Sequence, residues 1–188
     1  MKNICIGLFE GETLPESLAT FKDVKLDLEF GKVTTIYTLH QLDCEKVVVV
    51  GLGDGKKNIK EAFSKVEADD YLVYVTENTA YAAGFGLVYG AYSYKETKVY
   101  DLESDGFKDE FEKGKTVARI VNHAREMSDM PANFLTPDHL VDEAKMVAEK
   151  YGMEIEVLAQ DDLEEIGAGA LLACLLYTSP SPRDPKTS

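Results

Sequence analysis

The chain has 188 residues, 45% hydrophobic and 29% charged, with 20 basic against 34 acidic side chains and a net charge of −14. That length suits one domain, or one domain and part of another, with enough core to fold without a disulfide or a metal. So acidic a surface repels phosphate backbones and anionic lipid, which argues against nucleic-acid and membrane partners.

Cys5, Cys44 and Cys174 are odd in number and widely spaced. They form neither a zinc-site spacing nor a disulfide framework, and read as reduced thiols of a cytoplasmic protein. The apolar run before Glu10 is too short for the core of a signal peptide. The uncharged stretches Asn78–Tyr94 and Ile166–Pro182 fall short of the ~20 apolar residues of a membrane span.

In chain order, Asn3–Phe9 is a short apolar run that predicts a buried strand. Val24–Phe30 alternates apolar and charged residues and predicts a half-buried strand. Val33–Leu39 is β-branched and predicts a second strand, with Gly31-Lys32 as the turn between them. The four valines of "KVVVVG" predict a strand covered on both faces. Ile59, Ala62, Phe63 and Val66 recur at helical spacing, Tyr71–Val75 predicts a strand, Asn78–Tyr94 a small-residue helix, and Lys98–Glu103 a strand. A long amphipathic helix follows over Phe111–Met127, with Val117, Ile120, Val121, Ala124 and Met127 on its apolar stripe. Strands alternating with helices predict an α/β fold of three layers with a mixed sheet, in residues 1–110.

Thr136 and Pro137 are the N-cap and first residue of a further helix, with Asp138 near its positive end and Gly152 placed to stop it. Leu140, Ala144, Val147 and Tyr151 share one face. "MEIEVLA" (153–159) alternates as a strand, and "DDLEEIG" is a short helix stopped by Gly167. This order predicts an incomplete second α/β domain. From Cys174 the pattern breaks into Ser, Pro and Thr; residues 174–188 are expected to be a disordered, non-native tail.

No constellation of catalytic residues can be read from the spacing. "GLGDGK" has Lys56 where a dinucleotide fingerprint needs its third Gly, and no Lys-Ser or Lys-Thr completes a phosphate loop; the bland reading is a tight strand-to-helix turn. His40, His123 and His139 make no metal-binding array. Gly86 and Gly90 read first as close packing within the domain and second as a dimer face. The seven tyrosines from Tyr71 to Tyr100 read as core-edge or subunit-contact residues.

Several stretches in order resemble the leucyl (cytosol) aminopeptidase family of dinuclear metallopeptidases. They are "VVVVGLGDGK", "GLVYGAYSYKETK", and the long run from Ala118 to Ala173. The last contains Pro131, Asn133, Thr136-Pro137 and the ending Gly167-x-Gly169-x-Leu171-Leu172-Ala173. Ser128-Asp129 departs from the family, which usually has Val or Leu followed by Asn. The resemblance implies a macro-domain-like N-terminal domain (1–110), a linker helix (111–127), and the truncated start of a catalytic domain (128–173).

In the family that catalytic domain holds two divalent metals, zinc or manganese, on a Lys, several Asp and a Glu. The metals polarise the scissile carbonyl and supply a hydroxide-like nucleophile that removes N-terminal residues from peptides. Subunits assemble as hexamers. The family's Asn-Thr-Asp-Ala-Glu-Gly-Arg-Leu is absent here. The expectation is therefore an N-terminal fragment, cut near residue 173, that holds no catalytic, metal-binding or cofactor-binding residue and is inactive alone. The alternatives are a macro-domain-like module binding ADP-ribose near "GLGDG", and an oligomerisation module.

Overall fold

The computed structural model describes residues 2–94, 100–131 and 133–176, the side chains of 174–176 excepted. The chain forms two compact units, Met1–Glu126 and Met127–Ser188.

In the first unit five strands make one mixed sheet in the order β2-β3-β1-β4-β5: β1 Asn3–Leu8, β2 Val33–Tyr37, β3 Lys46–Gly51, β4 Tyr71–Tyr74 and β5 Leu102–Ser104. β1 lies at the centre, parallel to β3 (Cys5 opposite Val48) and to β4 (Cys5 opposite Val73). β5 continues the parallel set, and β2 pairs antiparallel with β3 at the other edge. The valines of β3 explain their own run: Val48 and Val50 enter one core cluster, Val47 and Val49 the other. A strand covered on both faces has no polar positions to alternate.

One face is covered by α1 (Ile59–Phe63), α2 (Ala80–Gly90) and the start of α3 (Lys108–Asp129), which contribute Phe63, Ala83, Leu87 and Phe111. The opposite face is covered by a 3-10 helix, Glu16–Phe21, and by irregular chain carrying Leu14, Leu26 and Leu28. The outer layer on that side is thus mostly chain without regular structure.

Two expected strands do not form. Val24–Phe30 is irregular chain that makes no ladder and ends in a bend and a turn. The Asp27 side chain takes the Glu29 amide at 3.1 Å, and the Leu28 carbonyl accepts from Gly53 rather than from a strand. A side chain that engages its own backbone competes with sheet pairing. The turn through Gly31 is present, with φ 75° and the Lys32 amide donating to the Glu29 carbonyl, but it leads from irregular chain into β2 rather than joining two strands. Of the strand expected over Lys98–Glu103, Leu102 and Glu103 fall in β5, Tyr100 and Asp101 are not strand, and residues 95–99 lie outside the described residues.

In the second unit, α4 (Pro137–Tyr151) has the expected ends: Thr136 Oγ1 accepts from the His139 amide, and Gly152 closes the helix at φ 65°. The Met153 amide donates to the Ala148 carbonyl, the long bond of a glycine-terminated helix. α5 (Gln160–Glu165) ends at Gly167 (φ 72°), and α6 spans Gly169–Leu176. The second corrected strand is 153–159, which is exposed coil. Its alternation is real, but no strand lies beside it among the described residues, and an unpaired strand leaves its amides without a ladder. The expected tail, 174–188, falls outside the described residues except for the backbone of 174–176.

Candidate functional site

A cleft of about 480 Å³ opens at the C-terminal ends of β1 and β4. The chain runs from β1 to β3 on one side and crosses by α1 to β4 on the other, so this is where strand order reverses. Open parallel sheets leave a crevice there. Ile6, Leu8, Tyr74 and Pro15 give it an apolar floor, with Glu12, Thr76, Thr79 and Asp105 at the rim.

Three of the four rim side chains are committed to nearby backbone, and Thr76 Oγ1 lies 3.1 Å from Thr79 Oγ1. Asp105 Oδ1 accepts from the Val75 amide at 2.9 Å, Glu12 from the Phe9 amide at 2.8 Å, and Thr79 Oγ1 from the Thr76 amide at 2.8 Å. No Lys, Arg or His is among the lining residues. Two carboxylates and no cation make a poor receptacle for a diphosphate. The ADP-ribose reading is therefore not favoured at this cleft.

Nor does the glycine-rich turn cradle a ligand. A Cβ on Gly51 would collide with the Glu29 carbonyl, and one on Gly53 would lie 3.0 Å from Phe30 Cβ. Those glycines admit residues 28–30 of the same chain. Asp54 holds Lys56 at 2.6 Å; that ammonium and the Lys56 amide bring the exposed Asp54 carboxyl below its ordinary value. The turn is spent on packing, as the bland reading has it.

The glycines of α2 act in the same way. A methyl on Gly86 would meet the Lys60 carbonyl, one on Gly90 the Ser64 carbonyl, and one on Gly84 the Phe111 carbonyl. They pack α2 on α1 and α3 within the first unit. Tyr81, Phe85 and Tyr89 stack along α2 with centroids 6.3 and 5.5 Å apart, and Lys60 Nζ sits over the first two rings. Tyr71 is buried and donates to the Glu67 carbonyl at 3.1 Å.

Sequence reading missed the polar groups that organise this layer. Asn122 donates to the Val88 carbonyl at 2.8 Å. Arg125 donates to the Tyr89 carbonyl at 3.1 Å and lies 4.4 and 4.2 Å from the Tyr89 and Tyr92 rings. Both close the C-terminal end of α2, where a cation is favoured. Lys115 is buried, with Nζ 2.8 Å from the Leu102 carbonyl and 2.6 Å from Glu112. The expected stripe of α3 is displaced accordingly. The buried residues are Phe111, Gly114, Lys115 and Ala118, while Ile120 is 64% exposed. Close helix approach selects Gly114, which carries no hydrophobic signal.

The three histidines are not brought together: His40 lies in a turn, His123 on α3, and His139 Nδ1 lies 3.1 Å from Thr136 Oγ1. Among the described residues no three of His, Cys, Asp and Glu are placed to hold a metal ion. These residues therefore do not fit a pair of divalent metals.

Residues 122–183 match the model of the cytosol aminopeptidase family, catalytic domain, a span that runs past Ala173. A probable cytosol aminopeptidase of Exiguobacterium sibiricum is 40% identical over 99 residues, covering 49% of this chain and 21% of that protein. Another, of Alkaliphilus oremlandii, is 27% identical and covers 97% of this chain and 46% of its own length. The bottromycin maturation enzyme BotP in complex with Mn is similar in fold, with a TM-score of 0.67 at 19% identity, covering 88% of this chain and 40% of that one. The cytosol aminopeptidase of Coxiella burnetii gives 0.62 at 17%, covering 87% and 39%. The chain thus spans less than half the length of these relatives.

Proposed function

We propose that the chain is a member of the cytosol aminopeptidase family, and that its 188 residues carry the N-terminal domain and the opening of the catalytic domain of a dimetal aminopeptidase, without its active site. In this reading residues 1–110 are the N-terminal domain, 111–127 the linker helix and 128–173 the start of the catalytic domain, with the family match running on to residue 183. The whole protein removes N-terminal residues from peptides with two zinc or manganese ions, works in the cytoplasm, and assembles as a hexamer.

The observation that carries the proposal is where the family's catalytic-domain model aligns. Its match is confined to residues 122–183, after the sheet is complete.

The test is an assay of the purified chain on leucine anilide with added manganese or zinc, run beside a calorimetric titration with each metal. The expected result is background turnover and no stoichiometric heat. Metal-dependent turnover, or two equivalents of tightly bound metal, would overturn it.

A further inference from the structure

Among the described residues β2 is one edge of the sheet, and its outward groups can be identified from its inward ones. The Thr38 amide donates to the Glu45 carbonyl, and the Lys32 carbonyl accepts from the Gly51 amide. Even-numbered residues therefore face β3, and Val33, Thr35 and Tyr37 turn their N–H and C=O groups away from the sheet. The side chains of the same three residues are exposed, Val33 by 37% and Tyr37 by 63%. An edge is usually blunted by proline, a bulge or an inward charge; Val33–Tyr37 contains none of these.

We propose that this edge is a self-association surface, on which two copies of the chain pair β2 antiparallel about Thr35 and join their sheets. The sequence is self-complementary in that register. With Thr35 opposite Thr35, Tyr37 of one copy faces Val33 of the other on the same exposed face, and Lys32 faces Thr38. Threonine pairs and aromatic–β-branched pairs favour cross-strand association, and no like charges are opposed. A two-fold axis through Thr35 uses the same patch on both copies and closes, so association stops at two along this edge. The net charge of −14 opposes the approach of two copies, so added salt strengthens pairing. The inference concerns the first unit alone and does not rest on the aminopeptidase reading.

Sedimentation of the full chain from micromolar to near-millimolar concentration, at low and moderate salt, tests it, together with hydrogen exchange. The expected result is a concentration-dependent dimer, tighter at higher salt, in which the Val33, Thr35 and Tyr37 amides become protected as the dimer fills. Thr35→Pro removes only an outward N–H, which edge strands tolerate, and Thr35→Lys sets two like charges face to face. Each is expected to weaken the dimer roughly tenfold or more. A monomer at all concentrations overturns the proposal. So does a dimer that survives both substitutions, or one in which the three amides gain no protection. Should both variants misfold by circular dichroism, the exchange pattern of the unaltered chain decides.

Discussion

At Leu39 and His40 the backbone passes through φ 48° and 68°, and the Gln41 amide donates to the Thr38 carbonyl across them. Two consecutive positive-φ residues under such a bond are the central pair of a primed turn, a place for Asn-Gly. Leucine there meets its own carbonyl and has nothing to bury, being 79% exposed. The pair Leu39→Asn and His40→Gly is expected to stabilise the chain by about 1 kcal/mol, a rise of roughly 2–4 °C in Tm; a fall on thermal melting would mean that the Leu39 side chain contributes more than its exposure shows. Cys5 gives the pH dependence at this scale. Its side chain is wholly buried on β1, and burial pushes the thiol up from its ordinary value of 9.0 to about 12. A folded-state value above the unfolded one favours the native state while the thiol is protonated. Stability is then full below pH 9 and falls as pH rises from there toward 12, by at most about 1.4 kcal/mol per pH unit for this one group. Denaturant unfolding between pH 8 and 11 should show this alkaline decline, and Cys5→Ala should flatten it while lowering stability overall; an unchanged slope would assign the decline to other groups, such as the buried Tyr71 phenol.

Among the elements, legibility followed whether one dominant force set the pattern. β3 was legible because burial on both faces writes valine at every position, and α4 because its caps are local chemistry between neighbours, Thr136 to His139 and Gly152 to Ala148. Val24–Phe30 and 153–159 were misread because alternation records amphipathicity, whereas a strand also needs a partner and free amides. The stripe of α3 was misread for a different reason. Its contact with α2 is set by backbone approach and by hydrogen bonds from Asn122 and Arg125, and Lys115 ties it to the Leu102 carbonyl of β5, none of which raises hydrophobicity. Gly114 is the sharpest case, since a methyl there would collide with the Tyr81 carbonyl and lie 2.9 Å from the Phe85 amide. Gly114→Ala is expected to cost about 1–3 kcal/mol despite the better helix propensity of alanine. The control is Gly106→Ala, where nothing lies within 4 Å of the added carbon and the change should be small. Equal midpoints for the two variants in urea would count against a tight α2–α3 crossing.

For the whole molecule, the two units differ in how their apolar residues are placed. In the first, the central strands and three helices bury Cys5, Val47–Val50, Phe63, Val73 and Phe111 to 3% exposure or less. In the second, the face of α4 expected to be apolar is in the open, with Leu140 51%, Val147 40% and Tyr151 66% exposed, and Ile155, Val157 and Leu158 beyond it between 43% and 47%. Sequence periodicity located that stripe correctly and could not say that nothing among the described residues would cover it, because periodicity reports a face and not its partner. The cleft at the ends of β1 and β4 escaped for a related reason: its walls come from residues 6–15, 74–79 and 105, which no spacing rule joins. Exposed stripes of this size favour association. A chain ending at Asp129, which keeps all of α3, is therefore expected to retain the near-UV circular dichroism of the full chain, to bind less of a hydrophobic dye, and to lose oligomers larger than the β2-paired dimer. The comparison must be made at equal molar concentration and salt, because net charge changes with the cut. Loss of the near-UV signal in the shorter chain would show that the sheet depends on the residues removed, and undiminished dye binding would place the sticky surface in the first unit.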